Sequence, residues 1–268
     1  YTYPHWAYDL ATYEVFQLGE NTGIGGFTAI YVMTVILAMI LGVTLYVASN
    51  KICKNELIAF IVTLGVLYLL KSFIAARAQL VTYILFVLQI LFIEQFLATK
   101  KKRYAIGLVI IPIIIANVHL AVWPFYFVLF LPYVAEYIIA LIADSNLYYR
   151  LNIAIKNSKL KKLEKKENQK EKIEKVQKQI NDLKEKEQES IKKREKRRNN
   201  PYKIIIKKNS NVKWLIVIMI ICVFTGLLTP LGNTPYTYLY KTMQGNTTDN
   251  ISEHLPMTLA NNTSAMCV

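Results

Sequence analysis

Membrane-length apolar runs recur through this sequence, at residues 24–49, 57–70, 80–98, 104–143 and 214–231. A hydrocarbon layer of ~30 Å is crossed by ~20 helical residues at 1.5 Å each. The first, third and fifth runs fit one crossing apiece. The second is short and can extend through Lys71 to residue 76. The fourth is too long for one crossing and too short for three. It divides near residues 117–124, where Asn117, His119, Trp123 and Pro124 are the residue types that a membrane hairpin places at the water boundary. The predicted fold class is therefore all-α, a polytopic transmembrane helical bundle of about six spans. Hydrophobic residues make up 54% of the chain and its mean hydropathy is +0.29. A water-soluble domain would leave much of that apolar surface uncovered.

The charge is as segregated as the apolar residues. Between Arg150 and Lys208 the sequence carries 22 Lys/Arg against 9 Asp/Glu, which accounts for nearly all of the net +14. A nucleic-acid-binding protein would carry such charge on a folded soluble domain. Here it lies between membrane-length runs, as a basic cytoplasmic loop does. The predicted organisation is an extracytoplasmic juxtamembrane aromatic segment at 1–23 and five spans within 24–143. A basic cytoplasmic helical insertion at 144–212, a sixth span at 213–231 and an extracytoplasmic segment at 232–268 follow.

Lys and Arg stay on the cytoplasmic side during insertion. Lys51 and Lys54, the turn Lys100-Lys101-Lys102-Arg103, and the insertion all fall on one side when six spans alternate. The opposite side then collects His5, Asp9, Glu14, Lys71, Arg77, Gln79, Asn117, His119, Glu253 and His254. Ionisable groups at membrane depth are costly and mark function. Each also has a plainer reading. Arg77 can snorkel to head groups, Asn117 and His119 can join helices by hydrogen bonds, and Asp9 and Glu14 suit an interfacial helix. Their convergence on one face is the stronger signal.

Residues 156–198 are rich in Lys, Glu and Gln and lack Pro and Gly, a helix-favouring composition. Ile173, Val176, Ile180 and Leu183 follow coiled-coil spacing, while Leu160 and Leu163 fall outside that register. A long solvated helix or a short helical hairpin is predicted, ended by Asn199, Asn200 and Pro201. It acts as a spacer whose Lys-rich ends touch anionic lipid, or it takes a coiled-coil partner through 156–198. No His, Cys or Gly-rich phosphate loop gives it chemistry. The three cysteines, Cys53, Cys222 and Cys267, have no metal or redox spacing. Four Asn-x-Ser/Thr sequons at Asn246, Asn250, Asn261 and Asn262 fit chance in an Asn/Thr-rich stretch. The chain starts at Tyr1 and reads as a piece of a longer polytopic protein.

Four places in this order resemble one family. They are the aromatic stretch Tyr1-Thr2-Tyr3-Pro4-His5-Trp6-Ala7-Tyr8-Asp9-Leu10, then Ala76-Arg77-Ala78-Gln79-Leu80, then Asn117-Val118-His119. The fourth is Ile251-Ser252-Glu253-His254-Leu255-Pro256, shortly after Asn233-Thr234-Pro235-Tyr236. Together they are similar to an aromatic juxtamembrane entry, an Arg-x-Gln span start, an Asn-x-His turn and a Glu-aromatic-x-Pro segment. These belong to the polytopic GT-C glycosyltransferase superfamily, in its bacterial branch. The resemblance implies a multi-pass protein of the bacterial plasma membrane that transfers a sugar from a polyprenyl-phosphate donor to an extracytoplasmic acceptor. Its partners would be the bilayer and a lipid-linked sugar, with no nucleic acid. The family's acidic residue in a large first loop would precede Tyr1, and the long insertion is not a general family feature.

On that resemblance, Arg77 or Lys71 would neutralise the leaving phosphate and His5 or His119 would donate to it. Glu253 is the candidate catalytic carboxylate. His5, Asp9, Lys71, Arg77, Gln79, Asn117, His119 and His254 are the candidate substrate-binding residues. No cofactor is specified, and the residues leave a divalent metal open. Two other classes stay open: a transporter or flippase for a lipid-linked or anionic substrate, and a non-catalytic membrane scaffold.

Overall fold

The computed structural model describes residues 4–164, 170–198 and 209–243. Every regular element among them is a helix. The chain divides into two compact units, Tyr1–Leu131 with Asn211–Val268, and Pro132–Ser210.

The first unit starts with α1 (Trp6–Asn21), α2 (Gly26–Cys53) and α3 (Glu56–Leu70), the last extended by a 3-10 turn, Lys71–Phe73. Next come α4 (Ala78–Thr99), α5 (Lys102–Val118), a 3-10 turn at Leu120–Val122 and the short α6 (Phe125–Val128). It closes with α10 (Val212–Val223), a 3-10 turn at Phe224–Leu227 and α11 (Thr234–Met243). Four stretches are long and apolar enough to cross a membrane: Gly26–Cys53, Glu56–Phe73, Ala78–Thr99 and Leu120–Ile142. α5, at 17 residues, and the apolar stretch Val212–Leu227 are shorter.

The two basic turns are built alike. Lys54 and Lys100 end α2 and α4 in the left-handed region, both at φ 55°, and their N–H groups bond back to Asn50 and Phe96. A residue with a Cβ resists that conformation. The sequence nevertheless puts a cation there, where it also faces the negative end of each helix dipole. Asn55 then caps α3, its side chain accepting from the Ile58 N–H at 3.1 Å.

α4 is the central helix. Half of its span is buried, against 6% of α2 and 11% of α3. Leu80 and Ile84 pack on Leu41 and Leu45 of α2. On another side, Gln89 donates to the Tyr126 carbonyl at 2.7 Å, and the Tyr126 hydroxyl donates to the Leu108 carbonyl of α5 at 2.5 Å. Tyr31 and Met39 on α2 and Phe60 and Ile61 on α3 are exposed. That much apolar surface on two adjacent helices suits hydrocarbon rather than water.

Side-chain ties set the helix directions. Asn211, at the start of α10, donates to the Leu97 carbonyl near the end of α4 at 2.9 Å. Asn117, at the end of α5, donates to the Leu228 carbonyl beyond the end of α10 at 3.0 Å. α10 therefore runs parallel to α5 and antiparallel to α4.

α1 joins the opening of α2 to the end of α5. The Gly26 N–H donates to the Glu20 carboxylate at 2.7 Å, which caps α2. At the other end the Leu120 N–H donates to the Pro4 carbonyl at 2.9 Å. The crossing of α1 and α2 is close: a Cβ on Gly19 would lie 2.6 Å from the Ala29 Cβ and 2.7 Å from the Gly25 carbonyl oxygen.

The second unit holds α7 (Leu131–Ser145), α8 (Leu147–Glu164) and α9 (Lys170–Arg198). Arg150 pairs with Glu187 at 3.7 Å, and Lys156 bonds to Gln179. Residue numbers rise along one helix as they fall along the other, so α8 and α9 are antiparallel. Val176 and Ile180 are buried, and Leu160, Leu163, Ile173 and Leu183 are half-buried. Leu160 and Leu163 leave the α9 register because they belong to α8. Of the two forms predicted for this segment, the hairpin is the one found. Its terminating Asn199, Asn200 and Pro201 lie outside the described residues.

Candidate functional site

The start of α4 forms one wall of a polar cleft. Arg77 is the N-cap residue, extended at φ −135° and ψ 152°, and its N–H bonds back to the Ala75 carbonyl at 2.7 Å. Ala76, Arg77, Ala78 and Gln79 face His5, Tyr8 and Asp9 across about 280 Å³. Spacing of three and four places His5, Tyr8 and Asp9 on one side of the first turn of α1. The two alanines keep the α4 wall low. Arg77 and Asp9 are exposed, while Tyr8 is only 8% exposed. The cleft thus sets a cation on one wall and a carboxylate on the other.

His119 lies behind His5. Their ring centroids are 4.6 Å apart, and the His119 Nδ1 is 2.9 Å from the Thr82 hydroxyl, one turn into α4. That hydroxyl also lies 3.1 Å from the Ala78 carbonyl. It has one proton for two acceptors, so the tautomer of His119 and the back-bond of α4 depend on each other. Burial lowers the His119 pKa from 6.5 to about 4, and His5 adds a push in the same direction. At neutral pH this ring is uncharged.

A pH dependence follows. Because the folded protein holds this ring's pKa below its unfolded value, the stabilisation is complete above about pH 6.5 and is lost as pH falls toward 4. A shift of that size corresponds to up to about 3 kcal/mol. Thermal unfolding of the detergent-solubilised protein should show a falling midpoint over that window. His119→Gln should flatten the profile, and an unchanged slope would rule out this assignment.

Two buried polar atoms lack a hydrogen-bond partner at residues 5 and 6: His5 Nδ1 and Trp6 Nε1. Each such group costs about 1–3 kcal/mol when nothing satisfies it.

Of the residues expected at the site, His5, Asp9, Arg77 and Gln79 line the cleft, and His119 joins through its contact with His5. Asn117 does not line it. Its side chain donates to the Ile113 and Leu228 carbonyls and so joins helices. Lys71 sits over the Tyr68 ring, 4.3 Å from its centroid, and is not among the lining residues. Glu14 is exposed on α1. Glu253 and His254 lie outside the described residues. Sequence reasoning missed Tyr8 and Thr82. Tyr8 was detectable as the residue completing the His5–Asp9 face. Thr82 had no signal beyond being a hydroxyl inside an apolar run.

Among the described residues, no group of three or more His, Cys, Asp or Glu side chains could hold a metal ion. Comparison with protein-family models, with curated proteins and with solved structures finds no match.

Proposed function

We propose that this chain is a GT-C-like membrane glycosyltransferase, and that the cleft between α1 and α4 receives the head group of a polyprenyl-phosphate sugar. The observation that carries the reading is the placement of Arg77 and Asp9 together in the lining of the cleft. A naked anion would be repelled by Asp9. A glycosyl phosphate presents an anionic phosphate for Arg77 and hydroxyl donors for Asp9 and Gln79.

In the transfer step the acceptor hydroxyl oxygen attacks the anomeric carbon as the bond from that carbon to the phosphate oxygen breaks. The phosphate leaves with the bonding electron pair and its added negative charge. Arg77 stabilises that charge. The acceptor's proton passes to a carboxylate, Asp9 in the cleft or Glu253. The assay is sugar transfer from a lipid-linked donor in proteoliposomes, with Asp9→Asn and Glu253→Gln tested separately. Loss of turnover in one of them identifies the base; full turnover in both removes this step.

The same reading places six crossings in the bilayer, with α5 and Val212–Leu227 as the two short ones. The directions of these helices, α10 parallel to α5 and antiparallel to α4, support it, as do the lysines that end α2 and α4. The basic hairpin is then cytoplasmic and the cleft extracytoplasmic. Cys53, which is exposed, is a natural reporter. With Cys222 and Cys267 replaced by serine, an impermeant maleimide should reach Cys53 and a cysteine at Lys175 from the cytoplasmic side only. It should reach a cysteine at Gln79 only from outside. Labelling of Cys53 and Lys175→Cys from opposite faces would sink the topology.

A further inference from the structure

We propose that one broad face of the α8–α9 hairpin docks on an anionic lipid surface, laying Tyr148, Leu151 and Ile155 into the interface with a row of lysines beside them. This docking is independent of what the cleft binds. On α8 the packing seam runs through Tyr149, Ile153, Lys156, Leu160 and Leu163, all half-buried. On α9 it runs through Ile173, Val176, Ile180 and Leu183 and continues at the half-buried Glu187 and Ser190. The seam steps by three and four. Residues just before seam positions therefore form one flank of each helix, and residues just after form the other. Two right-handed helices laid antiparallel bring like flanks together on one face of the pair.

The flank before the seam carries Tyr148, Ile155 and Lys159 on α8. On α9 it carries Lys172, Lys175, Lys186, Lys193 and Lys196 against Asp182 and Glu189. Glu189 pairs with Lys193 at 3.5 Å, which leaves lysine in excess. Among the described residues, the flank after the seam mixes Arg150, Lys161 and Lys184 with Glu174 and Glu195. Tyr148, Leu151 and Ile155 follow one another at three and four residues, so they form one stripe, and they are 70%, 53% and 65% exposed. Large apolar side chains beside lysines are the pattern of a helix lying in the head-group layer, and each lysine near that layer is drawn to anionic lipid. A partner helix would need an apolar seam over about three heptads or more, and this stripe covers only about two turns. The bilayer is also within reach of the chain: α8 opens shortly after the membrane-length stretch Leu120–Ile142 ends.

The test uses the full chain in nanodiscs, with Cys53, Cys222 and Cys267 replaced by serine and a fluorophore on Ile155→Cys or on Asn157→Cys. Asn157 is exposed on the flank after the seam. Quenching by lipid-borne nitroxide is read in discs of phosphatidylcholine alone and of phosphatidylcholine mixed with phosphatidylglycerol. At low salt the Ile155→Cys probe should be quenched at least about threefold more in the anionic discs, and high salt should remove the difference. The Asn157→Cys probe should stay in water in both. Lys175→Gln, Lys186→Gln and Lys193→Gln together should abolish the lipid dependence at unchanged helix content by circular dichroism. Equal quenching of the Ile155→Cys probe in the two lipids, strong or absent, would overturn the proposal and leave the stripe to a protein partner or to neutral lipid. Quenching at Asn157→Cys as strong as at Ile155→Cys would overturn it too, since no one face would then meet the lipid. Lipid dependence that survives the triple substitution would remove the lysines, and the proposal with them. The lipid comparison at Ile155→Cys decides the matter even if the triple variant unfolds.

Discussion

Arg77→Ala is expected to lower sugar transfer by roughly 10²–10³ while leaving the protein inserted and folded. On the proposed reading, the charge that develops on the leaving phosphate would lie beside Arg77, the N-cap residue of α4 and a lining residue of the cleft. Removing the guanidinium takes away a partner that matters most in the transition state, so kcat should fall further than KM rises. Arg77→Lys should recover part of the loss, since it restores a point charge without the planar fork. His119→Ala should cost less. Its ring lies behind His5 and reaches the cleft only through that contact. If Arg77 serves only to hold phospholipid head groups at the interface, the alanine variant will turn over at the parent rate. That result would end the assignment.

Gly19→Ala should disable the same cleft from a distance. The new methyl would meet the Ala29 Cβ at 2.6 Å and the Gly25 carbonyl oxygen at 2.7 Å, and a main-chain oxygen cannot swing aside as a flexible side chain can. α1 must lift from α2, at a cost of about 1–3 kcal/mol. Because α1 carries His5, Tyr8 and Asp9, that shift pulls one wall of the cleft away from Arg77. A lower melting temperature and lost head-group binding should appear together. Gly65→Ala is the control: nothing lies within 4 Å of its Cβ position, and alanine there favours the helix. If Gly19→Ala melts like Gly65→Ala, the crossing of α1 and α2 is not what holds the cleft.

Much of this architecture was legible in the order of residues. The apolar run at 80–98 became Ala78–Thr99, and the short run at 57–70 extended through Lys71 as expected, to Phe73. Hydrocarbon-length runs leave the backbone one way to satisfy its own hydrogen bonds, so their helical state needs no tertiary information. The site was legible only in part. His5, Asp9, Arg77 and Gln79 attracted notice as polar residues next to apolar runs. Asn117 attracted the same notice for the same reason, yet it joins α5 to the segment after α10 through Leu228. Composition cannot separate those two uses, because both need a polar group at a helix end.

Residue order alone determined that this chain is helical, apolar over membrane lengths, and basic in one hairpin. These properties depend on local period, length and charge. Tertiary structure alone decided that residues 5–9 meet residues 76–79 and that Thr82 holds His119. The reason is physical. Each contact joins segments far apart in the sequence, and the place of α1 also depends on its close crossing of α2, which the missing side chain of Gly19 against Ala29 allows.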